Sequence, residues 1–372
     1  NSRKRRKNHG MELPSEHAEG HGRGKPENRP LTKRMDANLE NPSSQSTPLL
    51  QSIKESEDVF LAQITKSNHL SVLKVARGGA VKVGAELSDV EIPAPLFIDK
   101  SFTSVIVIRQ SSLSPYQLIG GLHSNKNFDW LVQASSKEKP TENDFLGLSK
   151  YGQFFIPYLE SSEPLMHNVA FDELSRLPFA SMRLLKSNLD EKKLTEWINN
   201  TNLMSRRPLY YLLWGFVAPE KETKELENRL LNKQRIWPKQ EYAAIVAAYL
   251  ELNSVKGLAW VELNLLASGA NKKPDHLVQA TMMALSVHGS GASSAAKQNE
   301  IIELYRRLMQ KRPDLISNIV ADLNQWQRWE FTPYFIQVLK SEATLTFQQR
   351  YSVIMFLQRS NHPEAKKALA SL

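Results

Sequence analysis

The chain has 372 residues, 41% of them hydrophobic, which is enough length for two or three domains. It contains no cysteine, which excludes disulfides, thiol catalysis and cysteine-ligated zinc. The net charge of +9 could point to a polyanionic partner, but ten of the Lys and Arg residues, with four Glu, fall within residues 1–34. The rest of the chain is close to neutral, so nucleic acid is not the expected partner of the folded part.

Residues 1–50 are rich in Gly, Pro, Ser, Asn and charged residues and contain few aliphatic ones. Such a segment cannot bury enough apolar surface to offset its ordering entropy, so we predict a disordered basic tail. Its basic run, Arg3 to Lys7, is compatible with phosphate or lipid contact, a localisation signal, or simple solvation. Because the chain begins at Asn1 rather than Met, a signal peptide or membrane anchor upstream is also an expectation.

Residues 55–135 are predicted to form a small β-barrel or β-sandwich module. Short β-branched runs separated by Gly, Pro and Ser turns mark the strand candidates, at residues 58–64, 70–75, 80–84, 90–92, 104–108 and 116–121. Five or six strands in about 75 residues are typical of such a module. Interleaved aromatic and basic residues, which stack on nucleotide bases, are sparse here. We therefore interpret the module as a structural cap or adaptor.

Residues 145–372 carry apolar residues at helical spacing almost without interruption. Pro, Gly and Asn separate roughly a dozen helices, and alternate helices recur at about 30–40 residues, the period of two-helix repeats. The tetratricopeptide and ankyrin signatures are absent from the sequence. We predict an all-α solenoid with irregular HEAT-like repeats, so that the fold class of the whole chain is α+β and multidomain.

The sequence has no recognisable reaction centre. Phosphate-binding loops, dinucleotide-binding glycine motifs, H-E-x-x-H and G-x-S-x-G are all absent. Three scattered histidines, His123, His167 and His288, are interpreted as polar residues whose hydrogen bonds are satisfied within the fold. Asp172 and Glu173 are adjacent on a predicted helix and point about 100° apart, so they cannot share a proton from one helix face. We predict no catalytic residue, no cofactor and no metal.

Aromatic residues are the strongest sign of a binding surface. Six tryptophans fall in the helical part, and Trp326 and Trp329 lie three residues apart on one predicted helix face. Core or inter-repeat packing is the favoured explanation of these tryptophans, and an aromatic surface for a peptide or a base is the alternative. With the nearby arginines they define the candidate binding surface, which consists of Trp197, Arg206, Arg207, Trp326, Arg328 and Trp329.

The order of these features resembles a known arrangement. The β part, through residues 58–75 and 116–121, resembles netrin-like or OB-like N-terminal modules of exported bacterial proteins. The helical part resembles uncharacterised HEAT-like proteins of planctomycete-type bacteria, and the residues that carry this likeness are 158–160, 168–174, 194–198, 208–213, 249–250, 257–258, Trp326 and Trp329. The resemblance implies export to the periplasm or cell surface, although the cytoplasm stays open, and it transfers no catalytic residue.

Two hypotheses for the function follow. The first is a non-enzymatic scaffold whose helical surface binds a protein or peptide. The alternative is a helical-repeat nucleic-acid binder or DNA base-excision enzyme that uses the tryptophans, the arginines and the basic tail; it predicts binding that weakens steeply with salt. Protease inhibition by the β module is a weaker third idea, because no disulfide rigidifies an inhibitory edge. The visible sequence has no apolar run of 18 residues that would span a membrane.

Overall fold

The computed structural model describes residues 48–291, 295–341 and 344–372. Nearly all of the predicted basic tail therefore lies outside the described residues. Its last two residues, Leu49 and Leu50, are helical instead, because they begin α1 (Leu49–Glu55). Leu50 and Ile53 of α1 are buried against the rest of the fold, so the packed structure starts earlier than composition predicts.

A five-stranded antiparallel sheet follows α1. Its strands are β1 (Asp58–Lys66), β2 (His69–Arg77), β3 (Glu86–Leu87), β4 (Ser104–Arg109) and β5 (Gln117–Leu122). They are ordered β3-β2-β1-β4-β5, with β3 and β5 at opposite edges. The expected barrel or sandwich is therefore one open sheet. The predicted strands at 80–84 and 90–92 are loops, because Gly84 and Asp89 have positive φ and Pro93 starts the short helix α2 (Ala94–Ile98).

Both faces of the central strands are buried. Val59 and Leu61 of β1 face a core shared with α1 and with α3 (Phe128–Ser136). Phe60 and Ala62, which alternate with them, face a smaller core that Val81 and Val90 of the β2–β4 connection complete. This two-sided burial explains why β1 and β4 are continuously apolar rather than alternating.

Helices form the remainder of the chain. They are α4 (Phe145–Gln153), α5 (Pro164–Ser175), α6 (Phe179–Arg183), α7 (Glu191–Asn199), α8 (Arg207–Trp214), α9 (Thr223–Leu231), α10 (Lys239–Leu265), α11 (Asp275–Ser290), α12 (Ala295–Lys311), α13 (Ile316–Gln325), α14 (Thr332–Lys340), α15 (Phe347–Arg359) and α16 (Pro363–Ala370). From α7 onward each helix packs mainly on helices one or two places along the chain. Several of them start next to a proline, whose missing N–H is not needed in a first turn.

The sheet and the helices share a core. One apolar cluster runs from Leu50 of α1 through Leu122 of β5 to Leu357 of α15. The predicted boundary between residues 135 and 145 therefore does not separate two independent cores. Among the helices that the structure describes, none combines the length and the apolarity needed to cross a bilayer.

Candidate functional site

A buried carboxylate joins the sheet to the helical part. Glu163 immediately precedes α5, and its side chain is only 5% exposed. The backbone N–H of His123, just after β5, donates to this carboxylate at 3.1 Å, and the Asn127 side chain donates at 3.1 Å. The Nδ1 atom of His123 lies 3.2 Å from Glu163 Oε1. The end of β5 is thereby fixed to the start of α5.

The same histidine reaches a hydroxyl on its other side. His123 Nε2 lies 3.1 Å from Oγ of Ser101, which is exposed on the loop before β4. The Phe102 ring packs against the imidazole, with 4.9 Å between ring centroids. Phe102 can lie there because position 121 is glycine, where a Cβ atom would come within 2.2 Å of its ring. A hydroxyl, an imidazole and a buried carboxylate are thus in contact in that order, as in serine hydrolases. We call this set the Ser101–His123–Glu163 network.

Asp99 is a second partner of Ser101. Its Oδ1 atom accepts the backbone N–H of Ser101 at 3.0 Å and is also within hydrogen-bonding distance of the hydroxyl. These hydrogen bonds hold the pKa of the Asp99 carboxyl below its ordinary value. The single hydroxyl proton of Ser101 can therefore be donated either to Asp99 or to His123.

The first half of the sequence-predicted binding surface is occupied by contacts within the chain. The Trp197 indole is half-buried and packs on the Tyr210 ring, with 4.8 Å between centroids. Arg206 makes two hydrogen bonds of 2.8 Å to the carboxylate of Glu160. This bidentate pair offsets the guanidinium charge and fixes the orientation of its plane.

Arg207 is a core residue rather than a surface one. Its side chain is buried, with Nε 3.3 Å from Oε1 of Glu241 on α10. Neither atom has a well-aligned hydrogen bond within the described structure. Burial raises the pKa of the Glu241 carboxyl, while Arg207 and the more distant Arg235 oppose that rise. The guanidinium of Arg235 also lies 4.1 Å from the centroid of the Trp237 ring.

The second half of that surface lies between α11, α12 and α15. Trp326 stacks nearly parallel on Tyr305, with 5.9 Å between centroids, and its Nε1 donates to Ser290 Oγ at 2.9 Å. Trp329 packs against Phe356 of α15. Arg328 pairs with Glu330. Each of the six predicted residues thus has a partner within the chain, and the binding role assigned to them stays a prediction.

A second polar cluster lies where α10 bends. Ser254 has a φ of 50° inside this helix, and it borders a cavity of about 10 Å³, room for roughly one water molecule. The buried His288 of α11 and Lys297 of α12 line the same cavity. Glu251 beside it accepts two hydrogen bonds from Arg183 and lies 3.5 Å from Lys297 Nζ. Burial alone would raise the pKa of Glu251, but these cations and His288 hold it below its ordinary value.

Two aromatic side chains near the chain's end are exposed. Phe347 and Tyr351 lie one turn apart on α15 and are 84% and 57% exposed. Their rings are nearly parallel, with centroids 6.5 Å apart. We call them the α15 aromatic pair. No sequence motif marks the α15 aromatic pair, because the spacing of Phe347 and Tyr351 is the same as that of apolar residues on a buried helix face.

The residues of the Ser101–His123–Glu163 network carry no sequence motif either. They are separated by 22 and 40 residues, and only the pairing of β4 with β5 and the docking of α5 bring them together. Within the described residues, no group of three or more His, Asp or Glu side chains could hold a metal ion. Comparison with protein-family models, with curated proteins and with solved structures gave no match.

Proposed function

We propose that the helical part of this chain is a scaffold that binds a protein partner. In this proposal residues 145–372 act as a HEAT-like array, in which one helix pair covers the apolar stripe of the next. Support comes from the packing of helices on their near neighbours in sequence.

The α15 aromatic pair is the observation that carries the proposal. Isolated exposed apolar residues are ordinary, but two stacked aromatic rings on one helix face form a contiguous apolar surface. Burying such rings against a partner removes much apolar area from water, and rigid aromatic side chains lose little entropy in doing so. The half-buried Ile354, one turn further along α15, extends the surface.

The charge around the pair indicates what kind of partner fits. Residues 344–372 contain four basic residues and one acidic residue, Glu364. The basic ones, Arg350, Arg359, Lys366 and Lys367, are all exposed. An apolar strip on a segment with net positive charge complements an amphipathic helix with acidic residues flanking its apolar face. We therefore propose an acidic helical segment of another protein as the partner.

Affinity capture from native extract tests this assignment. The wild-type chain is expected to retain one partner in stoichiometric amount, and the Phe347→Ser/Tyr351→Ser double variant should retain at least tenfold less. Leu113→Ser is the matched control, since Leu113 is 96% exposed but lies on the β4–β5 loop. The captured protein should contain an acidic amphipathic segment that competes for binding as a synthetic peptide.

Two outcomes would overturn the proposal. One is equal capture by the wild type and the double variant, which would place the contact elsewhere. The other is recovery of an oligonucleotide whose binding falls steeply with salt, which would favour the nucleic-acid alternative.

We also propose, on the resemblance alone, that the protein is exported. Fractionation of cells expressing the natural gene, with antibodies against the folded part, should find it in the periplasm or at the cell surface. Recovery in the cytoplasm alone would refute this placement.

A further inference from the structure

We infer that the Ser101–His123–Glu163 network is a nucleophilic site that transfers the acyl group of a carboxylic ester. This goes beyond the scaffold role, and it departs from the sequence-based expectation that the chain has no reaction centre. The inference stands on the order and the spacing of three side chains, and it does not depend on the α15 aromatic pair.

The buried carboxylate sets the state of the imidazole. Glu163 accepts hydrogen bonds from Asn127 and from the backbone of His123, so its carboxyl group is held in place with one oxygen facing His123 Nδ1. A carboxylate at that position favours a proton on Nδ1, which leaves a lone pair on Nε2. This lone pair faces Ser101 Oγ at 3.1 Å, within range for accepting the hydroxyl proton.

The position of Ser101 limits the substrate. Ser101 is exposed on a loop rather than enclosed in a deep cavity, so the ester must be small or must be presented by a larger molecule. Phe97 and Ile98, at the end of α2 and close in sequence, are exposed and apolar. On this basis the acyl group that we propose is short and apolar.

The proposed reaction has two steps, which are formation of an acyl-serine and its hydrolysis. Ser101 Oγ attacks the ester carbonyl carbon while its proton moves to His123 Nε2. The bond to the alcohol oxygen breaks, and the alcohol leaves with the proton from the imidazolium, which Glu163 stabilises meanwhile. Water then attacks the acyl-serine with the same imidazole as base, which releases the carboxylic acid and restores the hydroxyl.

Asp99 competes with His123 for the hydroxyl proton of Ser101. Removing Asp99 therefore distinguishes the proposed catalytic role of the network from a purely structural one. If the hydroxyl always donates to Asp99, His123 donates to Ser101 and the three side chains only fasten the loop to the sheet. Removing the Asp99 carboxylate leaves His123 as the acceptor within the network. The Asp99→Ala variant is therefore expected to make Ser101 more reactive.

Labelling of the full chain with a fluorophosphonate probe, read by peptide mass spectrometry, tests the inference. We expect Ser101 to be labelled in the wild type, at least tenfold more slowly in His123→Gln, and faster in Asp99→Ala. Ser114→Ala is the matched control, because the Ser114 side chain hydrogen-bonds to the hydroxyl of Ser111 and has no hydrogen bond to the network among the described residues. Hydrolysis of p-nitrophenyl acetate should fall in the same order.

Thermal unfolding shows whether each variant is folded. Glu163→Gln, a nearly isosteric change, is a second variant that tests the role of the carboxylate. No label at Ser101 in the folded wild type would overturn the inference. So would labelling that is equal in the wild type and in a folded His123→Gln protein, because the imidazole would then have no part in activating the hydroxyl. Neither result bears on the scaffold role.

Discussion

The Nε2 atom of His288 lies 2.8 Å from the backbone carbonyl oxygen of Ala247, in the buried contact between α10 and α11. Since a carbonyl oxygen only accepts, Nε2 carries the proton. The other ring nitrogen, Nδ1, is 3.9 Å from Glu251 Oε2. Burial lowers the pKa of His288 to about 4, with Lys297 and Arg183 acting in the same direction and Glu251 opposing them. The ring is therefore neutral at pH 7.

This buried histidine should make the fold sensitive to acid. An unfolded histidine titrates near pH 6.5, so between pH 6.5 and 4 the unfolded chain binds more protons than the folded one. The contribution to the free energy of unfolding is complete above pH 6.5 and is lost as the pH falls to 4. The loss is on the order of 3 kcal/mol.

Denaturant unfolding at pH 7 and pH 4 measures this effect. His288→Gln keeps a donor for the Ala247 carbonyl and should show a smaller decrease in stability than the wild type. His276→Gln is the control, because His276 is exposed. Equal pH dependence in the wild type and His288→Gln would contradict the assigned protonation state.

Because Gly289 contacts Trp326, the effect of Gly289→Ala on the free energy of unfolding should change sign when Trp326 is replaced by alanine. A Cβ atom at position 289 would lie 2.3 Å from the indole, so Gly289→Ala should destabilise the wild type by about 1–3 kcal/mol. With Trp326→Ala in place the clash is gone, and the helix propensity of alanine should stabilise α11 by up to about 1 kcal/mol. Gly79→Ala is the control, since nothing lies within 4 Å of that Cβ. Additive effects across the double-mutant cycle would refute the contact.

The Arg207–Glu241 pair should be strongly coupled. Glu241→Met leaves the buried guanidinium of Arg207 without its partner and should cost about 3–5 kcal/mol. Arg207→Met should cost less than this, because Arg235 still offsets the charge of Glu241. The double variant should lose less than either single one, because an apolar pair carries no desolvation penalty. The exposed pair of Arg306 and Glu303 provides the comparison, with an expected coupling below about 1 kcal/mol. Chemical denaturation of the four proteins in each cycle gives these energies.

Periodicity predicted the coarse architecture well, and for a physical reason. Strands such as β1 and β4 and the amphipathic helices owe their form to local apolar spacing, which is written in consecutive residues. The coarse α+β prediction, with β elements before helices, is confirmed. The closure of the sheet was not predictable in the same way, because it depends on whether β3 and β5 meet, and the edge strand β3 is only two residues long.

The candidate sites depend on contacts between distant residues. The expectation that Trp326 and Trp329 share one helix face was wrong, because α13 ends at Gln325 and Gln327 has a positive φ. Whether the Trp326 indole faces solvent or Tyr305 depends on how α12 docks. Similarly, Arg207 looked like a surface cation until Glu241, 34 residues later, turned out to face it in the core. The Ser101–His123–Glu163 network is the same kind of case. No local pattern of residue types encodes it.

The link between Arg77 and α1 has a practical consequence for anyone dividing this chain. One guanidinium nitrogen of Arg77, at the end of β2, donates to three backbone oxygens, those of Ile53, Lys54 and Ser56. A protein truncated to begin at residue 55, where composition alone places the first boundary, would lose two of these acceptors together with Leu50 and Ile53. The apolar face of the sheet that α1 covers would then be exposed to solvent, and Arg77 would keep Ser56 alone of these three acceptors. Exposed apolar surface of this kind promotes aggregation during purification. Recombinant versions should therefore begin before residue 48.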